Sequence, residues 1–295
     1  MYTAHYGLRE KPFSLTPDPR FLFLSASHRE ALAHVLYGIE QGEGFIAVTG
    51  EVGTGKTTLC RTLFQRLGPD TEVAFVFDPL LTPDELLQAV CEEYGLLHSQ
   101  RTRAELSESL NRFVLDANQA GRRVLLIVDE AQNLPVDTLE QIRLLSNLET
   151  STTKLIQILL FGQPELDEKL ERPELRQLRQ RITVRWRLSA LARGEARDYV
   201  RHRVRVAAGC DREVFTPSAL REIDRRTRGI PRLVNLLADR ALLAGYAEGT
   251  ALVDRPQVDR AAREILRARG ARRPVWRRAV SGAAVLATEP GEERS

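Results

Sequence analysis

Two stretches of the chain carry residue types and spacings that could do chemistry together. The first is Gly50-Glu51-Val52-Gly53-Thr54-Gly55-Lys56-Thr57-Thr58, which has the spacing G-x-x-x-x-G-K-[ST]. It follows the largely apolar run 45–49 and precedes apolar residues at helical spacing, the setting in which this spacing indicates phosphate binding. Glycines let such a loop curl close to phosphate oxygens, and its backbone amides point at the anion. We therefore predict a nucleotide-binding loop, with a chance glycine-rich turn as the alternative.

The polar side chains of this loop have separate predicted roles. Lys56 is placed to reach the β- and γ-phosphates of a nucleotide, and the hydroxyl of Thr57 is placed to ligate Mg²⁺. ATP and Mg²⁺ are therefore the cofactors that we expect.

The second stretch is Asp129-Glu130, which follows the apolar run 124–128. Asp129 is expected to hold the Mg²⁺ shell, often through water, and Glu130 to orient and deprotonate the attacking water. Both carboxylates would leave the carboxyl edge of a strand, where ligands bind in open α/β sheets. A solvated turn after a core strand is the alternative, but the upstream loop favours the catalytic interpretation.

Three further polar residues are candidates for the same site. Gln163 ends a predicted strand and could reach the γ-phosphate or the lytic water; capping of the next helix is the alternative. Arg181, like Arg179, precedes the last predicted strand, where ATPase rings place an arginine finger, and an ordinary surface charge is the alternative. Arg232 would lie in the first turn of a helix, an unfavourable place for a cation unless an anion such as phosphate is nearby.

These residues are carried by a predicted β/α alternation. Largely apolar strands at about 45–49, 73–77, 124–128 and 155–161, followed by the mixed segment 181–188, alternate with helices, which favours a five-stranded parallel sheet covered on both faces. Two helix starts are predicted within it: Ser27 with Glu30 as its capping-box partner, and Thr82 before Pro83.

The regions flanking this sheet differ from it in character. Residues 1–44 form a proline-rich arm and a helix, placed to wall the adenine or simply to pack, and residues 45–189 form the α/β nucleotide-binding domain. No strong strand pattern follows, so we predict a helical lid over 190–269 and a disordered basic tail over 270–295.

Composition limits the possible functions. The 295 residues are 43% hydrophobic and 28% charged, enough for a packed core, and the net charge of +3 is too small to demand nucleic acid. Cys60, Cys91 and Cys210 have no zinc-site or disulfide spacing, which fits a reducing cytosol. We see neither a signal peptide nor an apolar run long enough to span a bilayer, and therefore expect a cytoplasmic protein.

Taken together, the motifs resemble those of the AAA+ ATPases. The opening segment 2–25, with Asp129-Glu130-Ala131-Gln132, Phe161-Gly162-Gln163-Pro164 and Gly229-Ile230-Pro231-Arg232, further resembles the general secretion pathway protein A (ExeA-type) family. This resemblance implies an ATPase that works as a ring or head-to-tail oligomer, with Arg181 acting in a neighbour's site. It also implies a partner protein in an envelope secretion, pilus or polysaccharide-export system.

The end of the chain departs from that family. Secretion-type members continue into a transmembrane helix and a periplasmic domain, whereas the apolar stretch here, 279–287, is too short to span a membrane. A natural cytosolic variant lacking those parts, a truncated product and a diverged relative are the alternatives that this departure leaves open. The basic residues between Arg267 and Arg278 could still give peripheral contact with an anionic membrane on its inner face.

Two other functions remain open at this point. One is a DNA-associated ATPase related to transposition helper proteins, in which the same terminal arginines contact the phosphate backbone. The other is a nucleotide-dependent switch with negligible turnover. DNA binding that depends on salt would support the first, and the measured turnover would separate the second from an ATPase.

Overall fold

The chain folds around a five-stranded parallel sheet with the strand order β2-β3-β4-β1-β5. The structure is a computed structural model that describes residues 1–15, 18–77, 80–96, 102–150 and 153–268. The strands are β1 Phe45–Gly50, β2 Thr71–Val76, β3 Arg123–Val128, β4 Gln157–Gly162 and β5 Ile182–Leu188. The predicted fold class is confirmed.

Helices cover the sheet and form the rest of the described chain. Those up to the last strand are α1 Tyr2–His5, α2 Ala26–Glu40, α3 Lys56–Arg66, α4 Pro83–Glu93, α5 Arg103–Gln119, α6 Val136–Leu145, α7 Pro164–Leu170 and α8 Arg176–Arg181. After it come α9 Glu195–Ala208, α10 Pro217–Thr227, α11 Pro231–Ala247 and α12 Arg255–Ala268. Short 3₁₀ turns lie at Pro19–Phe21, Ala131–Asn133 and Pro173–Leu175.

Helix starts show where local sequence decides the structure. Thr82 caps α4 in a capping box with Glu85, as the Thr-Pro-Asp-Glu pattern predicts. The predicted cap of α2 at Ser27 is wrong, because the cap is Ser25, whose hydroxyl accepts from the His28 amide. Ser27 instead accepts a hydrogen bond from the backbone of Ser189, a partner distant in the chain (3.1 Å).

Helices cover the sheet on both faces, and burial is most complete at its central strands, whereas Thr183, Arg185 and Arg187 of the edge strand β5 are exposed. One face packs against α4 to α8, and the other packs against α2 and α3. All residues of β1 and β4 are buried. Since parallel strands end at a common edge, the residues that follow β1, β3 and β4 are brought together there.

The N-terminal arm packs on the later helices, not on the sheet. Tyr2, Tyr6, Leu8, Phe13 and Phe21 are buried in one cluster with α9 to α12. The helix α2 that follows belongs to the sheet. The arm therefore adds to the helical part, while the boundaries predicted at 44/45 and 189/190 stay predictions.

The chain passes between the helical part and the sheet twice, and the two passages are bonded to each other. The first runs from the arm into α2, and the second from β5 into α9. The Ala26 amide donates to Glu195 Oε1 (2.9 Å), and the Ser189 amide donates to Ser27 Oγ (3.1 Å).

The tail 270–295, including the apolar stretch 279–287, lies outside the described residues. Among the helices that are described, none is both long and apolar enough to cross a bilayer.

Candidate active site

The phosphate-loop pattern forms a tight turn between β1 and α3, with Lys56 as the first residue of the helix. Gly53 has φ +83°, and a Cβ there would lie 2.6 Å from Arg232 Cβ, so glycine is required. The Lys56 ammonium donates to the carbonyls of Gly50 (2.7 Å) and Glu51 (3.3 Å) and is 6% exposed. Burial lowers its pKa, although the charges of Glu130 and Asp129 oppose this. The loop thus holds a partly dehydrated cation at the place where its sequence motif predicts phosphate.

Asp129 follows β3 and lies beside the first turn of α3. It is 1% exposed, and its oxygens accept from Thr57 Oγ1 (3.4 Å) and from the Glu130 amide (2.8 Å). Burial raises the pKa of this carboxyl, ahead of the smaller effects of its neighbours. A buried carboxylate beside a hydroxyl is a donor set that fits Mg²⁺, whose charge would compensate the burial.

This pair is a partial set of ligands. No cluster of three or more His, Cys, Asp or Glu residues suited to a metal occurs in the described ranges. Mg²⁺ commonly binds through one or two protein oxygens, with phosphate and water supplying the rest. Thr57 and Asp129 therefore suit a metal that arrives with a nucleotide, and do not form a cage of their own.

Glu130 has an unusual backbone conformation, and two amide side chains hold its carboxylate. Its φ is 52° and its ψ is 34°, a left-handed geometry that is uncommon for glutamate. Its Oε2 accepts from Gln132 Nε2 (2.6 Å) and from Gln163 Nε2 (3.0 Å). Burial raises the pKa of Glu130, but these hydrogen bonds and the Lys56 charge outweigh it, so the pKa is lowered. The carboxylate is thus ionised and oriented at the sheet edge.

Arg232 is brought over the phosphate loop from the helical part. Its amide lies 3.3 Å from the Gly53 carbonyl, and its exposed side chain makes no ion pair within the described ranges. The preceding turn requires Gly229, which has φ +73° and whose added Cβ would lie 2.1 Å from the Leu191 carbonyl oxygen. The Gly-Ile-Pro-Arg pattern therefore fixes a cation opposite the loop.

Arg181 is not part of the same site. It ends α8 just before Ile182, which pairs with Phe45, whereas the phosphate loop follows the other ends of these strands. Arg181 Nη1 donates to Ser146 Oγ (2.5 Å), and Arg179 pairs with Glu171. The predicted finger stays a prediction, and it could act only on another copy of the chain.

A cavity of about 350 Å³ joins the loop, the sheet edge and the helical part. It is lined by Ser14, Leu15, Val52, Gly53, Gly55, Lys56, Thr57, Thr58, Glu130, Gln163, Tyr199, Arg203, Pro231, Arg232 and Asn235. Gly50, Glu51 and Thr54, although predicted to bind the nucleotide, do not line it. Thr54 instead braces the turn through a bond from its hydroxyl to the Glu51 carbonyl (2.9 Å).

Comparison with known proteins finds a matching domain family and a similar secretion protein. A family model described as an AAA domain matches residues 39–170. Over 291 residues the chain is 46% identical to General secretion pathway protein A of Aeromonas hydrophila, an alignment covering 98% of this chain and 53% of that protein. The chain thus contains an AAA domain and resembles general secretion pathway protein A over almost its whole length. It spans about half the length of that relative.

Solved structures of other proteins share the fold of this chain. The Aeropyrum pernix ORC2 protein, in ADPNP–ADP complexes, is 21% identical with a TM-score of 0.64, covering 86% of this chain and 71% of that one. Drosophila ORC bound to DNA is 17% identical with a TM-score of 0.64, covering 92% and 68% respectively. For the Thermotoga maritima RuvB Holliday junction branch migration motor the values are 16%, 0.53, 84% and 73%. At these identities the likeness concerns the fold alone.

The candidate active site also contains residues that the sequence analysis did not single out. Gln132 holds Glu130 and also accepts from the Gln163 amide (2.9 Å). Its place two residues after Glu130, the predicted catalytic carboxylate, was the available signal. Tyr199, Arg203 and Asn235 reach the cavity from α9 and α11, and no local motif marks them.

Proposed function

We propose that this AAA ATPase binds Mg²⁺–ATP in the cavity and hydrolyses it. The observation that carries this proposal is that Lys56, Thr57 and the ionised Glu130 line one cavity, with Asp129 bonded to Thr57 and Arg232 on the opposite side. A phosphate-binding loop alone would also suit a passive nucleotide-binding protein. The oriented carboxylate is what favours hydrolysis.

Each side chain contributes one part of the reaction. Lys56 exchanges its two loop carbonyls for phosphate oxygens, and Arg232 neutralises charge from the opposite side. Mg²⁺, when bound, supplies charge stabilisation at the phosphates, and Thr57 and Asp129 are the residues that would hold it. Glu130 accepts the proton of the attacking water while the bond from the γ-phosphorus to the bridging oxygen breaks. Gln163 keeps that carboxylate in place.

The test compares ATP binding with phosphate release in variants of the full chain. Glu130→Gln should keep ATP bound and lower hydrolysis at least about 100-fold, since a general base contributes roughly 10²–10⁴. Lys56→Ala should weaken ATP binding itself. Glu108→Gln, an exposed residue of α5, is the matched control and should behave as wild type. Hydrolysis by Glu130→Gln at the wild-type rate would refute the assigned role, and absent turnover in the wild type would favour a nucleotide switch.

We further propose that the active form is a ring or head-to-tail oligomer. Arg181 lies at the sheet edge opposite the phosphate loop, so it can serve ATP only in a neighbouring copy. An arginine supplied in this way stabilises charge in the transition state. Sedimentation of the full chain with a nonhydrolysable ATP analogue tests this, and a monomer at all concentrations would contradict it.

The biological setting proposed is assembly of an envelope secretion, pilus or polysaccharide-export system, supported by the Aeromonas hydrophila relative. We also propose a cytoplasmic position with peripheral, salt-sensitive contact of the basic residues 267–278 with anionic membrane. Sedimentation with phosphatidylserine vesicles should show binding at low salt that is lost at high salt. A chain ending at Ala268 should bind less, and equal binding would contradict the assignment to the tail.

A DNA-associated role is the second candidate, and the fold likeness to a structure of ORC bound to DNA favours it. The net charge of +3 is weak support. Affinity for duplex DNA that falls steeply with salt and rises with ATP would favour this candidate over the secretion role.

A further inference from the structure

One buried guanidinium ties the N-terminal arm to α9. Arg203 is 7% exposed, and its Nε and Nη2 donate to the arm carbonyls of Pro12 (2.5 Å) and Ser14 (3.3 Å). The planar group also lies 4.9 Å from the centre of the Phe21 ring. Two hydrogen bonds and a cation–π contact thus hold one short stretch of arm.

The other hydrogen-bond partner of Arg203 is neutral as well. Its Nη1 donates to the Tyr199 hydroxyl (3.0 Å), which in turn donates to Asn235 Oδ1 (2.9 Å). Arg203 makes no ion pair with a carboxylate of the described ranges. Asp18 lies within electrostatic range, but Arg20 binds it at 2.6 Å. A buried charge with only neutral partners is costly, which calls for an anion nearby.

The position of this cation shows where such an anion would lie. Arg203, Tyr199 and Asn235 line the same cavity as Lys56, and so do Ser14 and Leu15 of the arm. The arm stretch that Arg203 holds is therefore a wall of the cavity. The anion expected in that cavity is the nucleotide of the proposed function.

We propose that Arg203 is a positioning residue that closes the arm over the bound nucleotide. The negative charge of the nucleotide compensates the buried guanidinium, so binding strengthens the arm contact, and the arm in turn slows nucleotide release. This inference rests on the proposed function, because it needs a nucleotide in the cavity. The reacting atoms are not involved, so the effect belongs to nucleotide retention and not to the chemical step.

The test compares two arginines that make the same kind of bond to the arm. Arg203→Gln removes the contact at the cavity. Arg212→Gln removes a hydrogen bond to the Tyr6 carbonyl (2.8 Å), which lies elsewhere on the arm. In the full chain we measure dissociation of a fluorescent ATP analogue, turnover at saturating ATP, and hydrogen exchange of arm amides 9–15.

Arg203→Gln should dissociate the analogue at least about ten-fold faster, equivalent to 1.4 kcal/mol, with turnover at saturating ATP within about three-fold of wild type. Arg212→Gln should change dissociation less than about two-fold. In the wild type, ADP should slow exchange of the arm amides, and this protection should disappear in Arg203→Gln.

Several outcomes would overturn the inference. Equal dissociation from wild type and Arg203→Gln, equal effects of the two variants, or arm exchange unaffected by ADP would each do so. If Arg203→Gln does not fold, Tyr199→Phe removes one acceptor with little loss of packing and should still speed dissociation, while the wild-type exchange measurement needs no variant. A wild type that binds no ATP would refute the proposed function instead, so the two failures are distinguishable.

Discussion

Replacing Gly229 with alanine should loosen the turn that presents Arg232 to the phosphate loop. The added Cβ would lie 2.1 Å from the Leu191 carbonyl oxygen, and the backbone there has φ +73°. The left-handed conformation costs a non-glycine residue about 1–2 kcal/mol. Moving the backbone to relieve the contact adds about 1–3 kcal/mol. The expected loss of unfolding free energy is therefore about 2–5 kcal/mol.

Gly249→Ala is the matched control for this change. Gly249 has φ +70°, but nothing lies within 4 Å of its added Cβ. It should therefore show only the conformational cost of about 1–2 kcal/mol. The remaining difference of about 1–3 kcal/mol corresponds to roughly 2–12 °C in melting temperature, at the ~2–4 °C per kcal/mol typical of about 150–250 residues that unfold together.

The assay pairs thermal unfolding with ATP binding. Gly229→Ala should melt below Gly249→Ala and should also bind ATP more weakly, because Arg232 follows the altered turn. Equal melting temperatures would refute the steric argument. A clear loss of stability with unchanged ATP affinity would refute the placement of Arg232 at the phosphates.

Three further predictions concern the charged residues of the site. Gln132→Ala removes a hydrogen bond that lowers the pKa of Glu130, so the acid limb of the turnover profile should move to higher pH; an unshifted limb would contradict this. Arg181→Ala should bind ATP but lose turnover, and mixing it with Lys56→Ala should restore part of the activity, whereas no recovery in mixed oligomers would argue against action in a neighbouring copy. Burial raises the pKa of Asp129, so its contribution to stability is present at low pH and is lost as pH rises through the raised value. Asp129→Asn should therefore raise the melting temperature of nucleotide-free protein at neutral pH while weakening Mg²⁺-dependent ATP binding, and an unchanged or lower melting temperature would contradict the assigned burial cost.

Sequence predicted those parts of the protein that depend on short-range patterns. Four apolar runs and one mixed run predicted the five strands. Thr82 with Pro83 predicted the start of α4, because capping is decided within four residues. The meeting of loop 50–58 with Asp129-Glu130 was predictable for another reason, since parallel strands end at a common sheet edge even though β4 lies between β1 and β3. The roles of these residues in binding and catalysis stay predictions.

The wrong prediction of the α2 cap and the residue that the sequence analysis missed both involve partners that are distant along the chain. Ser25, not Ser27, caps α2, because the hydroxyl of Ser27 bonds the segment after β5. Only Ser27 is followed three residues later by a glutamate, so the local pattern favoured the wrong serine. Arg203 looks like one of many arginines in the sequence. Only the fold shows that it is buried against the carbonyls of Pro12 and Ser14, some 190 positions earlier.

The paired passages between the helical part and the sheet constrain how the cavity can open. A single connecting segment lets one body swivel about many axes, whereas two adjacent segments leave mainly the axis that runs through both. Hydrogen bonds from Ala26 to Glu195 and from Ser189 to Ser27 keep these segments together. The helical part can therefore rotate mainly about the axis through these two segments. Arg232 and the arm both belong to the helical part, so we expect them to approach or leave the phosphate loop together, in one rotation.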